Sequence, residues 1–389
     1  MNNQVAIKHI DNYNVNHVQK TLNELFAACE TNKLFKNNAK VLIKINAGLP
    51  VCPDAALTTH PAVVQALVNI LSDLGAKCVV ADAPQKQYTL NALDKIYFET
   101  GMLDVANSTK CQLNHDLSVA KLDIPNGVKT KSAIILQQAL EADVIVNVGK
   151  LRVDDNLGLL GVSAGIFGLI PGDVQNQVLN RLTTVEDFYN FNIDLIDRLK
   201  DKIILNIFDG VVALEANASQ RMLSCLAVAE NMFSLDAVIC KIVGKEYEDA
   251  IIKTAAKRGL VNFEKPFELV SGDIKELELQ DFDFGEQTIY SNIHKNLTAQ
   301  KRYFNKYQQR VIIDPDKCKG CGRCAKICPA NAILMKYDKN GELYAQIDYK
   351  KCIFCNKCYA ACPYKVVDLK SPLGYKMVNF NITKYNKDK

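Results

Sequence analysis

Short runs dominated by Val, Ile and Leu recur along the first 270 residues, and apolar positions return every three or four residues between them. The runs are QVAIKHI near residue 4, KVLIKIN at 40–46, KCVVADA at 77–83 and DVIVNVG at 143–149, with KIILNIFDG at 202–210 and SCLAVAE at 224–230 as further strand candidates. Strands this uniformly apolar are those buried on both faces. The helical repeat occupies Val15–Glu30, Pro61–Leu74, Leu90–Glu99, Ser132–Ala142, Val185–Lys200, Leu235–Val243 and Glu248–Arg258. This alternation predicts an α/β fold, with a mainly parallel sheet and helices on both faces, over residues 1–279. In that class ligands bind beyond the carboxyl ends of the strands.

The pattern changes after a mixed-charge connector, 280–310. Eight of the fourteen cysteines lie between Cys318 and Cys362, in two copies of C-x2-C-x2-C-x3-C-P. The first copy is Cys318, Cys321, Cys324, Cys328 and Pro329; the second is Cys352, Cys355, Cys358, Cys362 and Pro363. Matching positions are 34 residues apart, and Ile313/Ile347, Asp314/Asp348 and Lys317/Lys351 extend the match, so this is an internal repeat.

A cubic iron–sulfur cluster needs one thiolate for each of four irons. Three cysteines at two-residue gaps wrap three corners, while the fourth is expected to begin a helix leading away to the neighbouring cube. The expectation is two [4Fe–4S] clusters, one on Cys318, Cys321, Cys324 and Cys362, the other on Cys352, Cys355, Cys358 and Cys328. Structural zinc sites instead show two separated C-x2-C pairs without a third cysteine at the same step. Between the motifs, AILMKYDKNGELYAQID alternates around Asn340-Gly341, a hairpin signal. Residues 311–370 therefore resemble a bacterial-type two-cluster ferredoxin domain, an α+β unit. The resemblance implies one-electron transfer at low potential. A basic tail, 371–389, follows.

Candidate binding residues in the larger part sit at strand ends. Lys44 and Asn46 close the second strand, and Thr58, Thr59 and His60 precede Pro61, a favoured first helical residue where free N–H groups attract a carboxylate or phosphate. Simple capping by a hydroxyl or by His60 is the plainer alternative. An ammonium on a buried strand such as that of Lys44 needs a partner or a ligand. Lys150, Arg152, Asp154 and Asp155 follow the strand ending at Gly149, and Asp209-Gly210 with Glu215 and Asn217 forms a third group. Asp236 is expected to open another helix. Each of these also fits ordinary turn or capping chemistry.

Asn156 to Gly172 is uncharged and contains Gly158, Gly161, Gly165, Gly168 and Gly172, which reads as a buried turn-and-helix segment. Neither G-x-G-x-x-G nor a P-loop is present, so a conventional dinucleotide or ATP site is not supported.

In order along the chain, VLIKINAG, LTTHPAVVQALVNILSDLGAKCVVADA, ADVIVNVGKLR, FGLIPG, IFDGVVALEAN and SLDAVICKIVG resemble the domain of unknown function 362 family, often joined to ferredoxin domains, over about residues 38 to 245. This chain has Lys150-Leu151-Arg152-Val153-Asp154 where the family usually carries Lys-x-Lys-x-His. It also departs from the family near Ala164-Gly165 and at Glu215–Ser219, which implies an altered or lost ligand if those positions bind one.

Formal net charge is only +4, but from Val311 onward 15 Lys and Arg face 7 Asp and Glu. Such a split fits two modules with different partners. No nucleic-acid module is recognisable, and MNNQVAIKHI lacks the pattern of a signal peptide. No membrane insertion is expected, and the expected location is cytoplasmic. Six scattered cysteines (Cys29, Cys52, Cys78, Cys111, Cys225, Cys240) read as small buried hydrophobes, Cys52 being the one in a candidate binding loop.

The leading functional reading is an iron–sulfur oxidoreductase component, passing electrons between the clusters and a small-molecule ligand or partner at the α/β part. The alternative is a non-enzymatic electron carrier or adaptor whose basic end docks on an acidic redox partner. A ligand-binding iron–sulfur sensor is the third.

Overall fold

The chain divides into two compact units, Met1–Gln287 and Thr288–Lys389. The division falls within the expected connector. The computed structural model describes residues 2–284 and 310–370, apart from 86, 155–156, 180, 183, 217–218, 248–250, 329–331, 339, 350–357 and 359–361.

The first unit begins with β1 (Gln4–His9), α1 (Val15–Ala28), β2 (Lys40–Ile45), α2 (Pro61–Asp73), β3 (Lys77–Ala81), α3 (Leu90–Glu99), α4 (Met102–Ser108) and β4 (Gln112–Leu113). A hairpin of β5 (Val119–Asp123) and β6 (Ser132–Leu136) leads into the short α5 (Gln137–Glu141). Next come β7 (Val144–Asp154), β8 (Gly158–Leu160), a 3-10 segment (Ser163–Leu169), α6 (Gly172–Leu179) and α7 (Val185–Leu199). The unit closes with β9 (Ile203–Leu214), β10 (Gln220–Ala229), α8 (Met232–Ile242), α9 (Ile251–Lys257) and β11 (Glu268–Ser271).

One sheet runs β11-β1-β10-β9-β7-β2-β3-β4, with β8 added against β7. The strands β9, β7, β2, β3 and β4 are parallel to their neighbours within that run, whereas β10 is antiparallel to both β1 and β9. The fold is α/β with a mostly parallel sheet. The first parallel strand, β2, has β3 on one side and β7 on the other, so the chain builds toward one edge and then resumes toward the opposite one. That reversal opens a crevice at the carboxyl ends of β2 and β7, the usual place for a ligand in such sheets.

Local sequence explains these elements. Every residue of β2 after Lys40 is buried, which accounts for its unbroken VLIKI. Asn14 caps α1 by accepting the His17 N–H at 3.2 Å, and Thr184 caps α7 by accepting the Asp187 N–H at 3.0 Å. For α2, His60 Nδ1 accepts the Ala62 N–H at 3.2 Å and Pro61 supplies the first turn. Leu22, Leu25 and Phe26 of α1 and Val64, Leu67 and Leu71 of α2 are fully buried in the main core.

Three expectations are corrected. Ser132–Ala142, expected as one helix, is β6 followed by α5, because its apolar run pairs with VAKLD across the hairpin. Asp209-Gly210 is not a turn: β9 continues through it to Leu214, paired with β10. Asp236 lies inside α8, which Asn231 caps through the Phe233 N–H.

In the second unit, β12 (Arg310–Ile313) pairs with β15 (Val367–Lys370), and α10 (Arg323–Ile327) precedes a hairpin of β13 (Ile333–Tyr337) and β14 (Leu343–Ile347). The expected hairpin is present. At its turn, the Asp338 carboxylate accepts the Asn340 and Glu342 N–H groups at 2.8 and 2.7 Å, and Gly341 takes φ 80°. The helix differs from expectation, since α10 contains Cys324 and ends at Cys328 instead of starting there.

Candidate functional site

At the crevice, a small cleft of about 80 Å³ lies among β2, β7 and the loops that follow β2 and β3. Lys44, Asp82, Lys150 and Arg152 bring charge to it, and Thr58 and Asn46 bring further polar groups. Lys44 is 1% exposed, and its Nζ lies 2.9 Å from Asp82 Oδ1 while donating to the Ile45 carbonyl at 2.5 Å. The other carboxylate oxygen of Asp82 accepts the Ala47 N–H at 2.6 Å. Burial pushes the Lys44 ammonium down and the Asp82 carboxyl up from their ordinary ranges, each opposed by its partner's charge.

A second buried pair adjoins it. Asp209, with no exposed surface, accepts the Tyr13 hydroxyl at 2.8 Å, the His60 backbone N–H at 2.9 Å and Lys150 Nζ at 3.1 Å. Lys150 also donates to the Tyr13 oxygen at 3.0 Å. The Tyr13 and His60 rings stack with centroids 3.6 Å apart and planes 7° apart. Burial beside Asp209 pushes the Tyr13 phenol up. Burial likewise pulls His60 down from 6.5 to about 4, with Asp209 opposing and Lys150 assisting. With Nδ1 accepting the α2 cap bond, a neutral His60 carries its proton on Nε2.

The loop between β2 and α2 is tied at both ends. The Thr59 N–H donates to the Asn46 carbonyl at 2.8 Å, and the Thr59 hydroxyl accepts the Asn46 N–H at 2.9 Å while donating to the Val148 carbonyl at 3.0 Å. Thr59 thus joins the ends of β2 and β7. Thr58, 2% exposed, has a hydroxyl oxygen with no partner among the described residues.

The glycine-rich segment covers the cleft. A Cβ on Gly168 would lie 2.2 Å from Asp82 Oδ1 and 2.8 Å from Lys44 Nζ; one on Gly165 would lie 2.8 Å from Asn46 Oδ1. The segment is anchored from α8, where Asp236 Oδ1 accepts the Val162 N–H at 2.6 Å and Oδ2 accepts the Ser163 hydroxyl. Burial raises the Asp236 carboxyl to about 6.

In the second unit, Cys318, Cys321, Cys324 and Cys362 line one pocket with Ile313, Gly322 and Tyr364. Four sulfur donors from two separated stretches of chain fit the thiolate set of an iron–sulfur cluster. Cys328 and Cys358 also pack in this unit's small core, and Cys328 Sγ accepts the Ala332 N–H at 3.2 Å. Cys352 and Cys355 lie outside the described residues.

A family model described as domain of unknown function (DUF362) matches residues 41–241. The chain belongs to the DUF362 family. A second model, a 4Fe-4S dicluster domain, matches residues 317–366, so the DUF362 region is followed by a ferredoxin-type iron–sulfur domain. A thylakoid-associated protein of Synechocystis sp. is 24% identical over 57% of this chain and 67% of its own length. An uncharacterized ferredoxin of Methanocaldococcus jannaschii is 46% identical over 9% of this chain and 46% of its own. An uncharacterized polyferredoxin-like protein of the same organism is 36% identical over 17% and 36%. The chain thus spans less than two thirds of both ferredoxin relatives. Among solved structures, the lactate racemase apoprotein from Thermoanaerobacterium thermosaccharolyticum superposes at TM-score 0.38 and 13% identity, covering 59% of this chain and 55% of that one.

Of the residues singled out in the DUF362 region, the cleft gathers Lys44, Asn46, Thr58, Lys150 and Arg152, with Thr59, His60 and Asp209 supporting them from behind. Glu215 is elsewhere. It is buried where β9 ends, and its Oε1 accepts the Asp283 N–H at 3.3 Å. Asp154 accepts the Leu157 N–H at 3.0 Å, as turn chemistry requires, while Asp155 and Asn217 lie outside the described residues. Cys52 is exposed, whereas the other five scattered cysteines are buried. Sequence reasoning missed Asp82 and Tyr13. An acid one residue beyond the apolar strand next to that of Lys44 was a usable signal for Asp82. Tyr13 lies outside the DUF362 match and gave none.

Proposed function

We propose that this protein is a ferredoxin-linked oxidoreductase component, in which two [4Fe–4S] clusters exchange single electrons with a small molecule or partner served by the α/β unit. The observation that carries the reading is the pocket that gathers Cys318, Cys321 and Cys324 with the distant Cys362. In a duplicated motif, that crossing supports a complementary second set of Cys352, Cys355, Cys358 and Cys328. Bound clusters would supply one-electron redox chemistry. The chain's own part is to hold the thiolates, shield them with Ile313, Val311 and Ile347, and present a basic exterior to an acidic redox partner. Thiolate ligands suit a reducing compartment, the cytoplasm in this reading. Among the described residues no helix is long and apolar enough to cross a membrane.

The test is oxygen-free purification of the full chain, followed by iron and sulfide analysis and electron paramagnetic resonance after reduction. Two cubes correspond to roughly eight irons per chain. Cys321→Ser and Cys362→Ser are expected to perturb the same cluster, and Cys358→Ser the other. Zinc in place of iron would overturn the reading, and Cys362→Ser acting on the same cluster as Cys358→Ser would overturn the crossed ligand sets.

A further inference from the structure

The cleft at the ends of β2 and β7 holds more positive charge than its carboxylates neutralise. Two of its cations are ammonium groups nearly sealed from water, Lys44 at 1% and Lys150 at 2% exposure. Each ammonium has three protons. Lys44 donates one to the Ile45 carbonyl and is ion-paired with Asp82; Lys150 donates two, to Asp209 and the Tyr13 oxygen. At least one proton on each is left over, and both residues line the cleft. The third cation, Arg152, also lines it, and no carboxylate pairs with its guanidinium among the described residues. Asp82 and Asp209 answer two of the three charges.

Thr58 provides an independent observation. Its hydroxyl is buried, lines the same cleft and has no hydrogen-bond partner among the described residues. Leaving such a group unpaired in the interior costs roughly 1–3 kcal/mol, so a polar ligand atom opposite it, which the hydroxyl can meet as a donor, is what the site lacks. The roof is backbone at Gly165 and Gly168, which permits close approach, and Leu49, Leu57, Leu160 and Phe167 give the remaining wall an apolar character.

We propose that this cleft binds a small organic oxyanion, a carboxylate or phosphate on a short apolar body, whose oxygens accept from Lys44, Lys150, Arg152 and Thr58. The inference rests on taking the α/β unit as the ligand-binding part of the protein, and it names the class of ligand. Arg152 is the recruiting group, since its charge has no counter-ion among the described residues. Lys44 and Lys150 are held in place beforehand by Asp82 and Asp209, so binding does not need to order them.

The test is calorimetric titration of the intact iron-loaded chain with butyrate, monobutyl phosphate and the neutral analogue butyramide. At least one anion is expected to bind while butyramide does not, and the preferred anion tells a carboxylate source from a phosphate one. Loss of a charge-assisted contact in Arg152→Gln is expected to weaken binding roughly tenfold or more. Thr58→Val, which keeps the shape but removes the hydroxyl, weakens it less. Equal binding of butyramide, unchanged affinity in both variants, or no anion binding at millimolar concentrations would overturn the proposal. Reducible clusters without anion binding would sink this inference alone. Anion binding by a chain that takes up no iron would support it and sink the electron-transfer reading alone.

Discussion

Asp209 shows how one side chain can organise a site without entering it. Its carboxylate draws Tyr13, the His60 backbone and Lys150 together from three distant parts of the chain. His60 is consequently held in a buried place where desolvation first, and Lys150 after it, disfavours a charged ring, and its value of about 4 against an ordinary 6.5 has a consequence for stability. The unfolded chain takes up the imidazole proton first as pH falls, so the stabilisation present above about pH 6.5 is lost on the way to pH 4, by roughly 2–3 kcal/mol for this partly buried ring. Replacing His60 with Asn keeps an N-cap acceptor and removes the titration. Chemical denaturation across that range is expected to show a flatter pH profile for His60→Asn, and an unchanged slope would contradict the assignment. The sequence exposed the cations of this network because a Lys on an apolar strand is conspicuous. It concealed the counter-ions, because nothing local says that Tyr13 and Asp209, 196 positions apart, share a hydrogen bond.

Among the elements, the glycine-rich segment is the most constrained by its neighbours. Gly168 leaves no room for a methyl group between itself and the Lys44–Asp82 pair, while Gly158 at φ 73° has nothing within 4 Å. Gly168→Ala is therefore expected to act by crowding, at about 1–3 kcal/mol, and to disturb the cleft. Gly158→Ala acts by backbone strain alone, at about 1–2 kcal/mol, and leaves the cleft unaltered. Thermal unfolding combined with anion titration of both variants separates the two causes; equal effects on the cleft would refute the packing argument.

Element identity was readable wherever burial left a simple period, as in β2, α2 and α7. It failed at Ser132–Ala142, where the helix-forming residues Gln137 to Glu141 directly follow the strand run Ala133 to Leu136. Pairing with β5 decided the outcome, and that partner carries only the weak alternation VAKLD. The apolar strands carrying Lys44 and Lys150 marked the cleft, although β7 does not end at Gly149 as expected but continues, paired with β8 and β9, to Asp154; the order of strands that makes them neighbours came only from the folded sheet.

At the level of the molecule, the two units have unequal means of staying folded. The first buries a large continuous core, whereas the core cluster among the described residues of the second is small: Val311, Ile333, Ala345, Ile347 and Val367 with Cys324 and Cys358. So small a core usually needs a staple such as a metal site. Iron chelation is expected to abolish hydrogen-exchange protection in β12–β15 while β2, β7 and β9 keep theirs. Equal loss in both sets of strands, or protected ferredoxin strands without iron, would contradict this. The motif spacing disclosed the repeated cysteine pattern, but it could not disclose how little apolar packing the described residues of this unit provide.

The pocket shared by Cys318 and Cys362 also sets an order of events during synthesis. The first cradle to leave the ribosome is unfinished until the second has emerged, so cofactor loading on the proposed ligand sets has to wait for the second motif. A chain stalled or clipped between the motifs would present four orphaned thiols, three of one proposed set and one of the other, not half of a working relay.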